Sequence, residues 1–441
     1  MAPHRQRAAA VARIRVRRRG VLRAGRLQGR GHARRALCAR DGRIDRPLPR
    51  SPGMTTVALW VVGVAAAFAV YTYIGYPVAL FVLAIVRRRR SGGTGTGAGE
   101  GEGEREPRGD WPRITIVLPV YNEAAVIRDT LENLLKVDYP ADRREILVLS
   151  DASTDETDKV VRSYAHRGVR LMRLPVRGGK TAAENAALPF LRGDIIVNTD
   201  ASVRVHREAV KRLVASFADP TVGVASSYNV SVARMTAHAN AAEGWYVGYD
   251  MWVRDLESRV SGSVGAAGCL YAVRAPIQSQ RLPTALTRDF AAALLARERG
   301  LRAVSVRGAI CFVPRIASLQ HEYRRKVRTI TGGIETLYFK RALLNPFRYG
   351  LFAWILASHK VCRWLVPHVG LLTLLALAGL AGTVPWVVWG LALAGFAAVC
   401  GLVGWGWPEQ WQLPRILAVP AYLVMGNMAA LHASIPGRCG A

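Results

Sequence analysis

The sequence predicts an α/β domain with a mostly parallel sheet, joined to one N-terminal and about three C-terminal transmembrane helices. Two observations lead to this fold class. From Arg113 onward, short apolar runs rich in Ile and Val alternate with segments of helical periodicity, which is the pattern of a parallel sheet wrapped by helices. On both sides of this region lie apolar segments long enough to cross a bilayer. A chain of 441 residues has room for both parts.

Three segments without Asp, Glu, Lys or Arg carry the membrane prediction. They cover residues 54–86, 364–407 and 416–435. A Gly-Thr-Val-Pro break divides the second segment into two parts, each close to the roughly 20 residues that a transmembrane helix needs. We therefore expect one transmembrane helix at 54–86 and three within 364–435, because buried core helices seldom stay uncharged over such lengths.

The formal net charge of +30 is concentrated near the N-terminus. Residues 1–53 hold sixteen Arg and two Asp but no Lys or Glu. A basic tail can bind nucleic acid or act as a transit peptide. Positive-inside topology, however, places Arg87–Arg90 in the cytoplasm and would force this tail across the membrane. We therefore expect translation to begin at Met54, so that residues 1–53 are not native.

The remaining basic residues lie mostly beside the predicted spans, as positive-inside topology requires, which speaks against a nucleic-acid partner. We expect a multi-pass protein of the cell membrane whose α/β domain is cytoplasmic. Residues 87–110 read as a flexible Gly-rich linker, residues 111–320 as the α/β domain, and residues 321–363 as a basic, interfacial helical segment. The six cysteines are scattered, which excludes a disulfide framework or structural zinc site.

The tripeptide Asp-Ala-Ser follows two different apolar runs. It occurs in EILVLSDASTDET at residues 145–157 and in DIIVNTDASVRV at residues 194–205. Each run has the composition of a buried parallel strand that meets its loop. Asp151 and Asp200 should then lie at the carboxyl ends of strands, which is the edge where open α/β sheets bind their ligands.

Four more charged residues complete a candidate site. Lys180 follows two glycines at the start of a helical segment, Asp289 lies beside Arg288, and Arg325 and Arg328 are cations of the basic segment. Carboxylates that share a divalent metal, together with cations, are suited to bind a diphosphate and stabilise it as it leaves. Asp289 is then available as a general base. Each residue alone has a plain structural explanation, such as a helix cap, a turn or a solvated surface.

The order of these motifs resembles that of membrane-bound family 2 glycosyltransferases with a GT-A fold, related to polysaccharide synthases. The resemblance covers residues from about 57 to 435. The motifs that carry it are VLPVYNEAAVIRDTLENLLKVDYP at 117–140, SDASTDET at 150–157, GGKTAAENAAL at 178–188, NTDAS at 198–202, LTRDF at 286–290 and RRKVRT at 324–329.

The resemblance implies inverting transfer from a nucleotide-sugar, with a UDP-sugar the expected donor, to a glycan or lipid-linked acceptor in cell-envelope synthesis. It implies that residues near the donor nucleoside and phosphates are Pro119, Tyr121, Glu123, Asp151 and Lys180. Asp200 would ligate Mg or Mn, and Asp289 would deprotonate the acceptor. Arg325 and Arg328 would steady the leaving diphosphate.

The chain departs from the family pattern at three positions. Arg288, the residue before Asp289, stands where polymerising synthases usually have Glu or Gly. A second metal carboxylate is replaced by Ser202, and the aromatic residue of the Gln-x-x-Arg-Trp motif is replaced by Thr329. Because threonine offers no platform on which a sugar can stack, we expect one or a few sugars to be transferred rather than a long polymer. Transfer to a polyprenyl phosphate is the alternative among enzymes. A noncatalytic membrane partner or a nucleic-acid-binding membrane protein is the alternative of another class.

Overall fold

The computed structural model describes residues 52–90, 110–232, 241–314, 318–408 and 413–435. The predictions for the Arg-rich tail at 1–53 and for the linker at 87–110 fall almost entirely outside these residues. The other predicted segments lie within them.

The strands of the described residues form one eight-stranded sheet in the order β3-β2-β1-β4-β7-β6-β8-β5. Their bounds are β1 Ile114–Val120, β2 Arg144–Ser150, β3 Val169–Arg173, β4 Ile195–Thr199, β5 Arg204–Val205, β6 Val222–Val232, β7 Leu270–Arg274 and β8 Arg302–Pro314. The predicted mostly parallel sheet is confirmed: β1 lies parallel to β2 and β4, β2 to β3, and β6 to β8. The antiparallel exceptions pair β7 with β4 and β6, and β5 with β8.

Strands β1, β2 and β4 form because their apolar runs are buried on both faces of the sheet, whereas β3 at the sheet edge is mostly half-buried. The apolar pattern of the sequence does not indicate β6 or β8. Polar Ser226 and Ser227 interrupt β6, and this strand gains its partners only in three dimensions, on β7 and β8.

The helices of the described residues surround this sheet and extend to both sides of it along the chain. Their bounds are α1 Pro52–Val70, α2 Tyr76–Arg90, α3 Ile127–Leu135, α4 Thr157–Arg162, α5 Lys180–Ala187, α6 Ala209–Ala215, α7 Ala241–Val260, α8 Ala275–Gln278, α9 Arg288–Glu298, α10 Leu319–Phe339, α11 Pro346–Tyr349, α12 Leu351–Leu356, α13 Arg363–Leu380, α14 Val387–Trp405 and α15 Arg415–Ala433. Single π-helical turns join α1 to α2 at Tyr71–Gly75 and α12 to α13 at Ala357–Cys362.

The core of the α/β domain lies on both faces of the sheet. On one face, Leu131 of α3 and Leu213 of α6 pack with strand residues such as Ile116 and Val197. On the other face, Ala183 of α5 packs with Val117, Leu147 and Ile196. These contacts hold the carboxyl ends of β1, β2 and β4 in a fixed relation.

Among the described residues, four helical stretches are long and apolar enough to cross a membrane. They cover Gly53–Arg89, Leu351–Leu380, Val387–Trp405 and Ile416–Ala433. The predicted arrangement of one N-terminal and three C-terminal apolar helices is confirmed. Their apolar side chains face outward, as Trp389 shows with 78% of its surface exposed. This is the surface that a hydrocarbon environment would cover.

The second apolar stretch begins at Leu351, thirteen residues before the boundary expected at Trp364. The sequence analysis left this part out because Lys360 and Arg363 are charged, and it allowed no Asp, Glu, Lys or Arg within a span. In the structure, Arg363 pairs with Asp250 of α7 at 2.8 Å, so the helix carries charge without leaving it uncompensated.

Gly193 lies where the chain enters β4 and allows no side chain. A Cβ atom there would lie 2.7 Å from the carbonyl carbon of Ile114 and 2.8 Å from the carbonyl oxygen of Ile195. We expect Gly193→Ala to lower the free energy of unfolding by about 3 kcal/mol, the upper part of the range for overpacking, because backbone atoms cannot rotate away. Thermal and denaturant unfolding of the purified protein in detergent measures this.

Gly248→Ala is the matched control, since Gly248 lies in helix α7 with open space around it. This variant should be up to about 1 kcal/mol more stable than the wild type. Equal stability of the two variants would contradict the crowding argument.

Candidate active site

The loops that follow β1 and β2 are tied together at the carboxyl edge of the sheet. Val120 and Ser150 are in register, so both loops begin side by side. The backbone N–H of Asn122 donates to Ser153 Oγ at 3.2 Å, and the N–H of Thr154 donates to Asn122 Oδ1 at 2.8 Å. Asn122 and Ala152 have φ of 53° and 57°, a left-handed conformation that costs free energy outside glycine. Strain held by such a bond network is typical of ligand-binding loops.

Asp151 is buried and fixes the turn that precedes α5. Its carboxylate accepts the N–H of Gly178 at 2.7 Å through Oδ1 and the N–H of Gly179 at 2.8 Å through Oδ2. Gly179 has φ of 85°, which only glycine adopts at little cost. Asp151 therefore positions Lys180, the first residue of α5.

Lys180 and Asp200 form an ion pair at this edge. Lys180 Nζ lies 2.6 Å from Asp200 Oδ1, and both side chains are partly exposed. Burial lowers the pKa of Lys180, but the charges of Asp200 and Glu184 and the hydrogen bond to Asp200 outweigh it, so the pKa lies above its ordinary value. Lys180 is thus a stable cation beside the loop that follows β4.

Asp289 reaches the same edge from α9. A Cβ atom on Gly268 would lie 2.6 Å from Asp289 Oδ2, so the carboxylate rests directly on this glycine. The next residue, Cys269, accepts the backbone N–H of Asp200 at 3.3 Å. Asp200 and Asp289 therefore both contact one dipeptide, Gly268-Cys269, although they are far apart in the sequence.

Of the two predicted arginines, Arg325 is held on its own helix and Arg328 is exposed. Arg325 donates to Glu322 through Nε at 2.7 Å and Nη2 at 2.8 Å. Arg328 precedes Gly332 and Thr336 at four-residue spacing and so shares their face of α10.

That face of α10 contacts the start of α9. The N–H of Thr287 donates to Thr336 Oγ1 at 3.1 Å, and a Cβ atom on Gly332 would lie 2.7 Å from Thr287 Cγ2. Arg328 lies one helical turn before Gly332, and Gly332 contacts Thr287, which is two positions before Asp289.

A family model described as glycosyl transferase family 2 matches residues 115–253. This range begins in β1 and ends in α7, and it contains Asp151, Lys180 and Asp200 with the loops that hold them. The chain carries a family 2 glycosyl transferase domain.

Relatives in other organisms match parts of this family 2 domain. Beta-monoglucosyldiacylglycerol synthase of Synechocystis is 34% identical over 117 residues, which are 26% of this chain and 24% of that protein. A probable glycosyltransferase, YdaM, of Bacillus subtilis is 33% identical over 115 residues, 25% of this chain and 27% of that protein. The chain thus spans about a quarter of the length of these relatives.

The fold is shared over a longer range with a solved mannosyltransferase from Pyrobaculum calidifontis, whose structure is a complex with GDP-Man and Mn²⁺. The TM-score is 0.58 at 22% identity, and the superposition covers 85% of this chain and 100% of that chain. The predicted GT-A fold is confirmed.

Two residues that the sequence analysis did not single out, Arg177 and Glu184, also lie at the candidate site. The guanidinium carbon of Arg177 lies 3.9 Å from the ring centroid of Tyr121, so the two side chains stack. Pro119 is the next-to-last residue of β1, two positions before Tyr121, and is half-buried. Glu184, one helical turn after Lys180, is fully buried 3.2 Å from Arg288 Nε. Their signals are the arginine before Gly-Gly-Lys and the four-residue spacing from Lys180.

Arg288, which directly precedes Asp289, and Glu184, one helical turn after Lys180, form a buried ion pair. Arg288 also donates to Asn185 Oδ1 at 2.6 Å and to the carbonyl oxygen of Gln278 at 3.1 Å. Burial raises the pKa of Glu184, and the opposing charges of Lys180 and Arg288 only partly offset this. The Arg288–Glu184 ion pair thus lies next to the candidate site in the chain, and both of its side chains are closed to solvent.

Glu123 lies close enough to Asp155 and Asp200 for their charges to affect its pKa. Burial raises its pKa, and the charges of Asp155 and Asp200 raise it further. Because the pKa is higher in the folded than in the unfolded state, ionised Glu123 destabilises the fold, and this penalty grows as pH rises through the folded-state pKa.

We therefore expect Glu123→Gln to be as stable as the wild type at acidic pH, below the ordinary carboxyl pKa, and more stable at neutral pH. The backbone N–H of residue 123 still reaches Thr157 Oγ1, at 2.9 Å, because the substitution leaves the backbone unchanged. Denaturant unfolding at a series of pH values measures the difference. A variant that is less stable than the wild type at pH 8 would refute this reading of the electrostatics.

Proposed function

We propose that the protein transfers a sugar from a nucleotide-sugar donor to a membrane-associated acceptor, with inversion at the anomeric carbon. The observation that carries this proposal is the meeting of Lys180, Asp200 and Asp289 at the carboxyl edge of the sheet, where Asp200 and Asp289 both contact Gly268-Cys269. A cation beside a carboxylate suits a diphosphate, and a second carboxylate suits the removal of a proton. The family 2 domain supports the same reaction class.

The donor nucleoside is assigned to the loops after β1 and β2. Tyr121, stacked with Arg177, supplies an aromatic face, and Pro119, Glu123 and Asp151 surround the same edge. Both Asp151 oxygens already accept backbone N–H groups, and each keeps a lone pair for a base such as uracil. We take a UDP-sugar as the first donor to test, because the sequence motifs favour it.

The donor diphosphate is assigned to the ion pair of Lys180 and Asp200. Lys180 is a cation at ordinary pH and would move from Asp200 to the phosphates when the donor binds. Among the described residues, no group of three His, Cys, Asp and Glu side chains gathers as a metal site. Asp200 fits Mg or Mn in one way, since Mg²⁺ can bind through one carboxylate together with substrate phosphates. When bound, the metal would neutralise charge on the diphosphate.

Asp289 is assigned as the general base. Its carboxylate would accept the proton of the acceptor hydroxyl while the hydroxyl oxygen attacks the anomeric carbon from the face opposite the diphosphate. The bond between the anomeric carbon and the diphosphate breaks in the same displacement, which inverts the configuration. Arg328 and Arg325, on the helix that contacts the start of α9, would stabilise the departing charge, and Arg325 must leave Glu322 to do so.

The acceptor is assigned to the membrane side of the site. The four apolar stretches are consistent with membrane association, and relatives named beta-monoglucosyldiacylglycerol synthases make a diacylglycerol-type lipid the first acceptor to test. The four arginines at the end of α2, Arg87–Arg90, support a cytoplasmic site.

Substitutions of Asp200 and Asp289 should have different effects on ligand binding and turnover. We expect Asp200→Ala to weaken metal-dependent binding of a nucleoside diphosphate. Asp289→Asn should leave that binding nearly intact and lower turnover by roughly 10²-fold or more, the usual contribution of a positioned general base. Calorimetric titration and diphosphate-release assays with a panel of nucleotide-sugars measure the two effects.

Gly268→Ala provides a second route to the same carboxylate. Its added methyl group displaces Asp289 without removing it, so turnover should fall while diphosphate binding persists. Near-normal turnover in Asp289→Asn would remove this residue from the base role, and no diphosphate release with any donor would reject the proposed function.

The product should be short. Thr329 is exposed on α10 and offers no aromatic face for a growing chain. We expect purified protein in lipid vesicles to add one or a few labelled sugars to the acceptor, as sized by gel or mass spectrometry. A ladder that extends to high mass without an added partner protein would contradict this.

A further inference from the structure

A charged network outside the strand-edge site connects α7 to the second apolar stretch. Asp250 lies 2.7 Å from Arg254 Nε, one turn along α7, and 2.8 Å from Arg363 Nη1. His359 Nε2 lies 3.4 Å from the same Asp250 carboxylate. Burial raises the pKa of Asp250, but Arg254, His359 and Arg363 outweigh it and hold the pKa well below its ordinary value.

The network continues to the first apolar stretch through Glu257. This fully buried carboxylate accepts the hydroxyl of Tyr76 at 2.6 Å and contacts His359 Nδ1. Tyr76 directly follows one π-helical turn, and His359 lies within the other. Turns of π-helix are rare in proteins, and those that do occur are frequently found at functional sites. Buried charges are costly to assemble, so a network of this size calls for a role.

From Arg254 the network reaches the segment that supports Asp289. Arg254 Nη1 donates to the carbonyl oxygen of Gly265 at 2.7 Å. The next residue, Ala266, donates its N–H to the carbonyl oxygen of Asp289 at 3.3 Å. Arg254 therefore holds the segment 265–268 at one end, through Gly265. At the other end of the segment, the Asp289 carboxylate packs against Gly268.

The second apolar stretch also touches the residue beside Asp289. Lys360 Nζ lies 5.1 Å from the ring centroid of Phe290, within the range of a cation–π contact. This contact and the ion pair between Arg363 and Asp250 both link the helix Leu351–Leu380 to the surroundings of Asp289.

We propose that Arg254 is a positioning residue for Asp289, and that its link through Asp250 to Arg363 sets the position of this carboxylate relative to the membrane-spanning helix. This rests on the proposed function. Arg254 uses two different nitrogens of its planar guanidinium, one for Asp250 and one for Gly265. Lysine has a single ammonium on a flexible chain and cannot hold both partners in fixed geometry.

A matched control lies five residues further along α7. Arg259 pairs with Asp255 at 3.1 Å with the same four-residue spacing, and Asp255 pairs in turn with Arg307 of β8 at 2.7 Å. This pair ties α7 to the sheet and not to residues 265–268. Arg259→Lys therefore disturbs the same helix in the same way without reaching the segment that supports Asp289.

The test compares Arg254→Lys with Arg259→Lys in the full chain, in lipid vesicles containing diacylglycerol. We expect Arg254→Lys to lower kcat for transfer by about 10- to 100-fold, the scale set by small misplacements of a catalytic group, with the donor KM and UDP affinity unchanged. Arg259→Lys should keep wild-type kcat. Asp250→Asn, which keeps the shape of the side chain, should lower kcat in the same direction as Arg254→Lys.

Hydrogen exchange gives a readout that does not need turnover. Amides in residues 263–270 should exchange faster in Arg254→Lys than in the wild type, and at the wild-type rate in Arg259→Lys. Unchanged exchange in that segment, unchanged kcat, or a parallel loss of UDP affinity would each overturn the positioning role. A wild-type protein that turns over no donor would reject the proposed function instead, and the exchange result would still decide this inference.

Discussion

The antiparallel pairing of β7 with β4 is the constraint on which the site depends. Thr199, the last residue of β4, lies opposite Leu270, the first residue of β7. This register brings Gly268 and Cys269 beside the start of the loop that carries Asp200. A single dipeptide then contacts both the Asp200 backbone, which it binds, and the Asp289 carboxylate, for which it leaves room. A purely parallel sheet would have no strand beginning at this edge, because all its strands would end there.

Charge compensation governs the rest of the edge. The charges of Asp200, Glu184 and Asp289 together raise the pKa of Lys180. The charges of Lys180 and Arg288 in turn partly offset the cost of burying Glu184. Two left-handed residues, Asn122 and Ala152, each cost of the order of 1–3 kcal/mol, and the hydrogen bonds between their loops keep them in place. The edge is thus preorganised before any ligand binds, which lowers the reorganisation that binding or reaction requires.

A second charged network lies on the membrane side of the domain, and the two networks meet at residues 265–268. On one side this segment receives Arg254, which is tied through Asp250 to the apolar helix of Arg363. On the other side it supports Asp289. The proposed reaction joins a soluble donor to a membrane-borne acceptor and needs a base that is fixed relative to both. This contact pattern provides a direct physical link between the apolar helix and Asp289.

The sequence by itself determined the local features of this protein. Apolar runs gave β1 to β4, uncharged lengths gave four apolar helices, and the small polar residues after each run put Asp151 and Asp200 at strand ends. Tertiary structure alone decided the contacts: that Asp151 holds Gly178 and Gly179, that the Asp289 carboxylate packs against Gly268, and that Asp250 allows an apolar helix to carry Arg363. Periodicity and composition report the environment of each segment, whereas hydrogen bonds and ion pairs join residues up to a hundred or more positions apart, and only the folded chain brings those within 3 Å.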